Sequence, residues 1–190
     1  MKLERVLPFS RTLLKKAVQP GAIAVDATIG NGHDTLLLAE LVGEDGKVYG
    51  FDIQEEALIH TQERLKEHKL LDRVELFQKG HEEVQAVIPS IYHGKVTAAI
   101  FNLGYLPGGD KAVVTRPETT ISAIQQLIEL LAPEGMIVLV IYHGHEEGAL
   151  ERDELLQFVQ KLDQQQVHVL QYRFLNQQNN PPFIVAIEKR

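Results

Sequence analysis

The sequence predicts an α/β fold with a seven-stranded, mostly parallel sheet, helices on both faces and an antiparallel last strand. Two observations lead there. Short runs rich in Val and Ile alternate with longer stretches of helical period, the pattern of βαβ units. The last two apolar runs are joined only by Leu175 to Pro182, too short for a crossover helix and so read as a hairpin.

Each element follows from its residues. Ser10 can cap a helix whose Leu13, Leu14, Ala17 and Val18 form an apolar edge and which Pro20-Gly21 stops, giving an extra N-terminal layer over residues 1–21. The strands are expected at Ala22 to Thr28, Lys47 to Asp52, Val74 to Gln78, Val96 to Asn102, Met136 to Tyr142, Val167 to Phe174 and Phe183 to Glu188. Between them, Ala57, Leu58, Thr61 and Leu65 share one helix face, as do Ile121, Ile124, Ile128 and Leu131, and then Leu155, Leu156, Val159 and Leu162. No linker, repeat or low-complexity segment interrupts the 190 residues, so a single domain is expected.

Composition narrows the function. There is no Cys, which excludes disulfides, Cys-based zinc sites and thiol nucleophiles. No run approaches the ~18 apolar residues of a membrane helix. Met1 to Gly21 carries Glu4 and no unbroken apolar core, so it does not read as a signal peptide, and a cytoplasmic protein is expected. The net charge of −7 argues against a surface that is basic throughout. Local basic candidates are Arg5, Arg11, Lys15 and Lys16 near the start, with Lys111 and Arg116 further on; a solvated helix face is the plain alternative.

The first βα turn carries the chemistry. Strand one runs into Asp26-Ala27-Thr28-Ile29-Gly30-Asn31-Gly32-His33-Asp34-Thr35, and a Leu-rich helix follows at once. Glycines there let the backbone approach a ligand and aim helix N-terminal amides at it. The third Gly of a dinucleotide fingerprint is absent, with Thr35 in its place. Asp52, 22 positions after Gly30, ends strand two, where a carboxylate can accept both hydroxyls of a ribose. Asp26 would repel a pyrophosphate but suits the amino group of an amino-acid moiety, which points to S-adenosyl-L-methionine.

These features resemble the class I S-adenosylmethionine-dependent methyltransferases, whose Rossmann-like fold closes with a β-hairpin. More narrowly, the Asp26 to Thr35 segment, Asn102-Leu103-Gly104-Tyr105-Leu106-Pro107-Gly108-Gly109-Asp110 and Tyr142-His143-Gly144-His145 are similar to a small bacterial family once labelled "putative rRNA methylase". That family is associated with methylation of 5-aminomethyl-(2-thio)uridine at the tRNA wobble position, the MnmM type.

The resemblance implies roles. Asp26 and the Gly30 to Gly32 backbone would hold the methionine part, with Thr28, Asn31, Asp34 and Thr35 adding polar contacts. Asp52 would take the ribose; Ile53 and Gln54 would flank the adenine, and Gly80-His81 would reach its other edge, although His81 reads equally well as a loop residue. Asn102 and Tyr105 resemble an Asn-Pro-Pro-Tyr element in which the Asn carbonyl accepts the target amine and the ring stacks on its base. Leu106, Pro107, Lys111, Arg116 and Tyr142 would meet the substrate. His143 or His145 would take the amine's proton through water. His143, His145, Glu146 and Glu147 also allow a metal reading, but no third ligand is evident and methyl transfer to an amine needs no metal, so none is expected.

The expected partner is therefore the tRNA anticodon stem-loop, with no membrane, and with a homodimer as one way to pool basic patches. Methylation of rRNA or of a small molecule, a non-catalytic nucleoside-binding module, and a nicotinamide dehydrogenase are the competing readings. Asp26 and the lack of a hydride-site signature disfavour the last.

Overall fold

The computed structural model describes residues 2–104, 114–144 and 146–190, the side chain of Glu146 excepted. Its sheet has seven strands: β1 (Ile23–Asp26), β2 (Lys47–Asp52), β3 (Val74–Gln78), β4 (Val96–Leu103), β5 (Leu131–Ile141), β6 (Val167–Tyr172) and β7 (Phe183–Lys189). Their order is β3-β2-β1-β4-β5-β7-β6. β1 to β5 pair in parallel, and β7 runs antiparallel to both β5 and β6. This is the Rossmann-like class I methyltransferase architecture, including its antiparallel last strand.

Six helices cover the sheet among the described residues: α1 (Val6–Ala17), α2 (His33–Val42), α3 (Glu55–Glu67), α4 (Val84–Val87), α5 (Pro117–Leu130) and α6 (Glu146–Val159). Side chains alternate across each strand, and the two faces make two cores. Ala98 and Ile100 of β4 join Leu13 and Leu14 of α1, Leu38 of α2 and Leu65 of α3 on one face. Ala99, Phe101 and Leu103 of the same strand join Val84 of α4, Ile124 and Leu127 of α5 and Leu155 of α6 on the other.

The structure moves three sequence expectations. Ser10 lies inside α1, buried, and donates to the Leu7 carbonyl at 2.8 Å; Arg5 holds the capping position without a side-chain bond. α1 itself packs in the same layer as α2 and α3, its apolar edge joining Ala98 and Ile100 of β4, Val138 and Val140 of β5 and Ile184 and Ala186 of β7. Leu131 ends no helix: it opens β5 opposite Val96, five residues before the expected start, with a register shift between Val96 and Ala98 absorbing the irregularity.

β1 pairs with β2 on one side and β4 on the other, so the chain reverses its direction of progress across the sheet at β1. Ligands of open α/β sheets bind outside the carboxyl ends of the strands at such a switch point. The residues ending β1, β2 and β4 are Asp26, Asp52 and Asn102-Leu103.

Candidate active site

The turn after β1 owes its shape to two glycines in the left-handed region, Gly30 at φ 52° and Gly32 at φ 72°. A Cβ on Gly32 would also collide with the Thr61 side chain of α3. The Asn31 carbonyl is held by Arg64 Nε at 3.1 Å, which ties the turn to α3 a second time.

Asp52 is already engaged by that turn. Its Oδ2 accepts the Gly30 N–H at 2.9 Å and its Oδ1 accepts the Gln54 N–H at 3.0 Å. A carboxylate has about four acceptor positions, so capacity remains on both oxygens for a pair of hydroxyls. Ile53, the next residue, is 57% exposed, an apolar surface beside the carboxylate.

Asp26 is fully buried. It accepts the Thr35 hydroxyl at 2.6 Å and the Thr28 N–H at 3.2 Å. Burial, with Asp34 and Asp52 adding like charge, pushes its pKa up to about 7. The hydrogen bonds oppose that shift without cancelling it.

Asn102 is fixed from two sides. Its backbone N–H donates to Thr28 Oγ1 at 2.7 Å, and its side-chain Nδ2 donates to Asp34 Oδ2 at 2.8 Å. Arg11 Nε of α1 lies 3.8 Å from the other Asp34 oxygen. Since a carboxylate only accepts, this contact identifies the amide nitrogen and leaves Oδ1 of Asn102 as an acceptor with no partner among the described residues. Tyr142, 36% exposed, stands at the end of β5, its N–H donating to the Leu103 carbonyl at 3.1 Å. Burial and the nearby Asp34 push its phenol upward.

The side chains of Thr28, Asp34 and Thr35 thus serve Asn102 and Asp26 directly. His81 is held within the protein. It is buried, its Nδ1 bonds the Ala27 carbonyl at 3.2 Å, and its ring meets Phe101 edge-on at 5.4 Å. Desolvation by burial lowers its pKa.

His143 is buried as well. Its Nε2 donates to the Pro181 carbonyl at 3.1 Å, and its Nδ1 faces Arg152 Nη1 at 3.3 Å. Burial and the Arg152 charge hold its pKa down. Both ring nitrogens thus have protein partners, one in the hairpin and one in α6. Arg116 is exposed ahead of α5, and its carbonyl accepts the Thr119 hydroxyl at 3.0 Å and the Thr120 N–H at 3.0 Å. Tyr105, Leu106, Pro107, Lys111 and His145 lie outside the described residues.

Sequence reasoning missed Glu151. It is 2% exposed on α6 and accepts the hydroxyls of Thr115 at 2.6 Å and Thr120 at 2.8 Å. The signal was available: Glu151 falls on the same stripe as Leu155 and Val159, an acid where an apolar residue belongs.

Residues 48–188 match a family described as "Putative rRNA methylase". The chain belongs to this family. A crystal structure of the same description from Clostridium thermocellum shares 44% identity and superposes with a TM-score of 0.96 over 100% of both chains. A Streptococcus mutans protein of methyltransferase description, solved in complex with SAH, shares 41% identity at a TM-score of 0.89 over 99% of both chains. The tRNA (mnm(5)s(2)U34)-methyltransferase, chloroplastic, of Arabidopsis thaliana is 38% identical over 149 residues, 74% of this chain and 53% of that protein. The chain therefore spans about half the length of that relative.

Among the described residues, no group of three or more His, Asp and Glu is placed to hold a metal ion, and no helix is long and apolar enough to cross a membrane.

Proposed function

We propose that this protein transfers a methyl group from S-adenosyl-L-methionine to an RNA nucleotide, and within that class to the amine of 5-aminomethyl-(2-thio)uridine at the tRNA wobble position. The observation that carries the reading is Asn102, whose amide is turned by Asp34 so that a free carbonyl oxygen sits at the end of β4.

The residues present fit the cofactor. Asp52 has acceptor capacity left for a ribose, Ile53 offers an apolar face for an adenine, and the Gly30 to Gly32 backbone leaves room for close approach. The buried carboxyl of Asp26 suits an ammonium group, which would relieve the repulsion it now feels from Asp34 and Asp52. When bound, S-adenosyl-L-methionine supplies an electrophilic methyl group.

This chain then has two tasks. It must hold an amine lone pair in line with that methyl, and it must favour the neutral amine over the ammonium that predominates in water. Asn102 Oδ1 accepts one N–H of the amine and orients it. A free carbonyl cannot distinguish bases by itself, so the wobble assignment leans on the Arabidopsis relative and on the resemblance of the Asn102 element.

A second reading has its own support. The family description names rRNA, and an acceptor at the end of β4 serves any exocyclic amine. The test is to incubate the protein and S-adenosyl-L-methionine with bulk RNA from a strain lacking the gene, then digest tRNA and rRNA separately and compare nucleosides by mass spectrometry. One added methyl on aminomethyluridine supports the wobble reading; a methylated rRNA nucleoside moves the assignment there. Failure to bind SAH in calorimetry removes the methyltransferase reading altogether.

A further inference from the structure

The segment between β4 and α5 is tied at its neck. Thr115 and Gly104 bond reciprocally, the Gly104 N–H donating to Thr115 Oγ1 at 3.0 Å and the Thr115 N–H donating to the Gly104 carbonyl at 3.1 Å. The Thr115 hydroxyl then donates to Glu151 Oε2 at 2.6 Å, and the Thr120 hydroxyl donates to Glu151 Oε1 at 2.8 Å. One buried acid thus holds both Gly104, the residue that follows β4, and the first turn of α5.

The tie continues to the cofactor side of the site. Thr120 Oγ1 lies 3.5 Å from His81 Nε2, and His81 Nδ1 bonds the carbonyl of Ala27, next to Asp26. A buried acid on a helix stripe costs stability relative to a leucine. Its position is accounted for by what it holds.

We propose that Glu151 is a positioning residue for methyl transfer: through Thr115 it fixes the Gly104 end of β4 and so the reach of the Asn102 carbonyl toward the acceptor amine. This rests on the proposed N-methyltransferase reading. The role assigned to Glu151 is exercised through Thr115 rather than on the reacting atoms. Its effect is on turnover, because a small misplacement of an oriented acceptor costs rate more than binding.

The experiment compares wild type with Glu151→Ala, Glu151→Gln and Thr115→Val. SAH affinity is measured by calorimetry, amide exchange at Gly104 by NMR, and kcat and KM on a tRNA anticodon stem-loop carrying aminomethyluridine. Thr115→Val and Glu151→Ala are expected to lower kcat about 30-fold, with SAH affinity and KM within about threefold of wild type. Both should speed exchange at Gly104. Glu151→Gln should retain most of the turnover, because Thr120 can accept from the new amide and turn its own proton to His81 Nε2.

Wild-type kcat in folded Glu151→Ala overturns the inference alone, as does a loss of SAH affinity that parallels the loss of kcat. A wild-type protein that binds SAH and methylates no RNA overturns the inference together with the function on which it rests.

Discussion

Asp34 Oδ2 and Asn102 Nδ2 are 2.8 Å apart, and this one contact decides which end of the Asn102 amide faces the site. An unheld amide presents either N–H or C=O. Held by a carboxylate, it presents C=O. Asn102→Ala is therefore expected to leave SAH affinity within about threefold and to lower kcat on the order of 100-fold, the usual cost of one lost oriented hydrogen-bonding group. Asp34→Ala should lose about tenfold in kcat by releasing the amide. Full turnover in Asn102→Ala would remove the amine-acceptor role.

Asp52 is the second test. It braces the Gly30 turn and keeps acceptor capacity for a ribose, so Asp52→Ala removes both at once. Calorimetry should show SAH affinity reduced by about 100-fold or more, in line with the loss of two charge-assisted hydrogen bonds. An unchanged dissociation constant would place the nucleoside elsewhere.

Asp26 makes binding pH-dependent. Its folded pKa of about 7 lies above the ordinary 3.8, so in the free protein the carboxyl is about half protonated at pH 7. The folded state holds more protons than the unfolded one between these values, so stability falls as pH rises through the window from about 4 to about 7 and is level above it. Pairing with an ammonium group ionises the carboxyl. Binding of SAH at pH 7 is thus expected to release about half a proton, and at pH 8.5 almost none. Calorimetry in two buffers of different ionisation enthalpy reads this directly, and Asp26→Asn should abolish the difference.

His143 provides the opposite sign. Its folded pKa lies below the ordinary 6.5, so the folded protein resists a proton that the unfolded chain accepts. That contribution is intact above pH 6.5 and is lost as the pH falls below it. His143→Gln, which can donate to Pro181 and accept from Arg152, should lessen the acid-side drop in melting temperature and leave the pH profile of kcat unmoved. A shifted kcat profile would make His143 a proton carrier after all.

Gly32 joins a left-handed backbone to a close helix contact. Gly32→Ala should cost about 1–2 kcal/mol from the backbone conformation, and more from the collision with Thr61, in urea denaturation. Adding Thr61→Ala should recover only the share of the collision due to the hydroxyl and methyl, because the Cβ at position 61 remains 2.9 Å away.

The sheet was legible because its strands stand out as short apolar runs, Val- and Ile-rich in β5 and β7, and the Gly30 turn and Asp52 were legible because their spacing can be read in the sequence. What Asp34 and Glu151 touch was not. Asp34 reads as a first-turn acid of α2, and only the packing of β4 beside β1 brings Asn102 to it, 68 positions away. The partners of His143 were hidden for a related reason: Pro181 and Arg152 arrive from two other elements. The early start of β5 was hidden because Leu131 continues the helical period of α5 while already pairing with Val96.

The order β5-β7-β6 has a consequence for how the molecule is built. β7 follows β6 in the chain yet lies between β6 and β5, and the pairing of β6 is with β7 alone. During synthesis β6 leaves the ribosome with no neighbour to join and waits, as an unpaired ribbon, until β7 has emerged to bridge it. A nonsense change between β6 and β7 would therefore do more than shorten the chain: it would leave β5 as the edge of the sheet and β6 without the strand it pairs with.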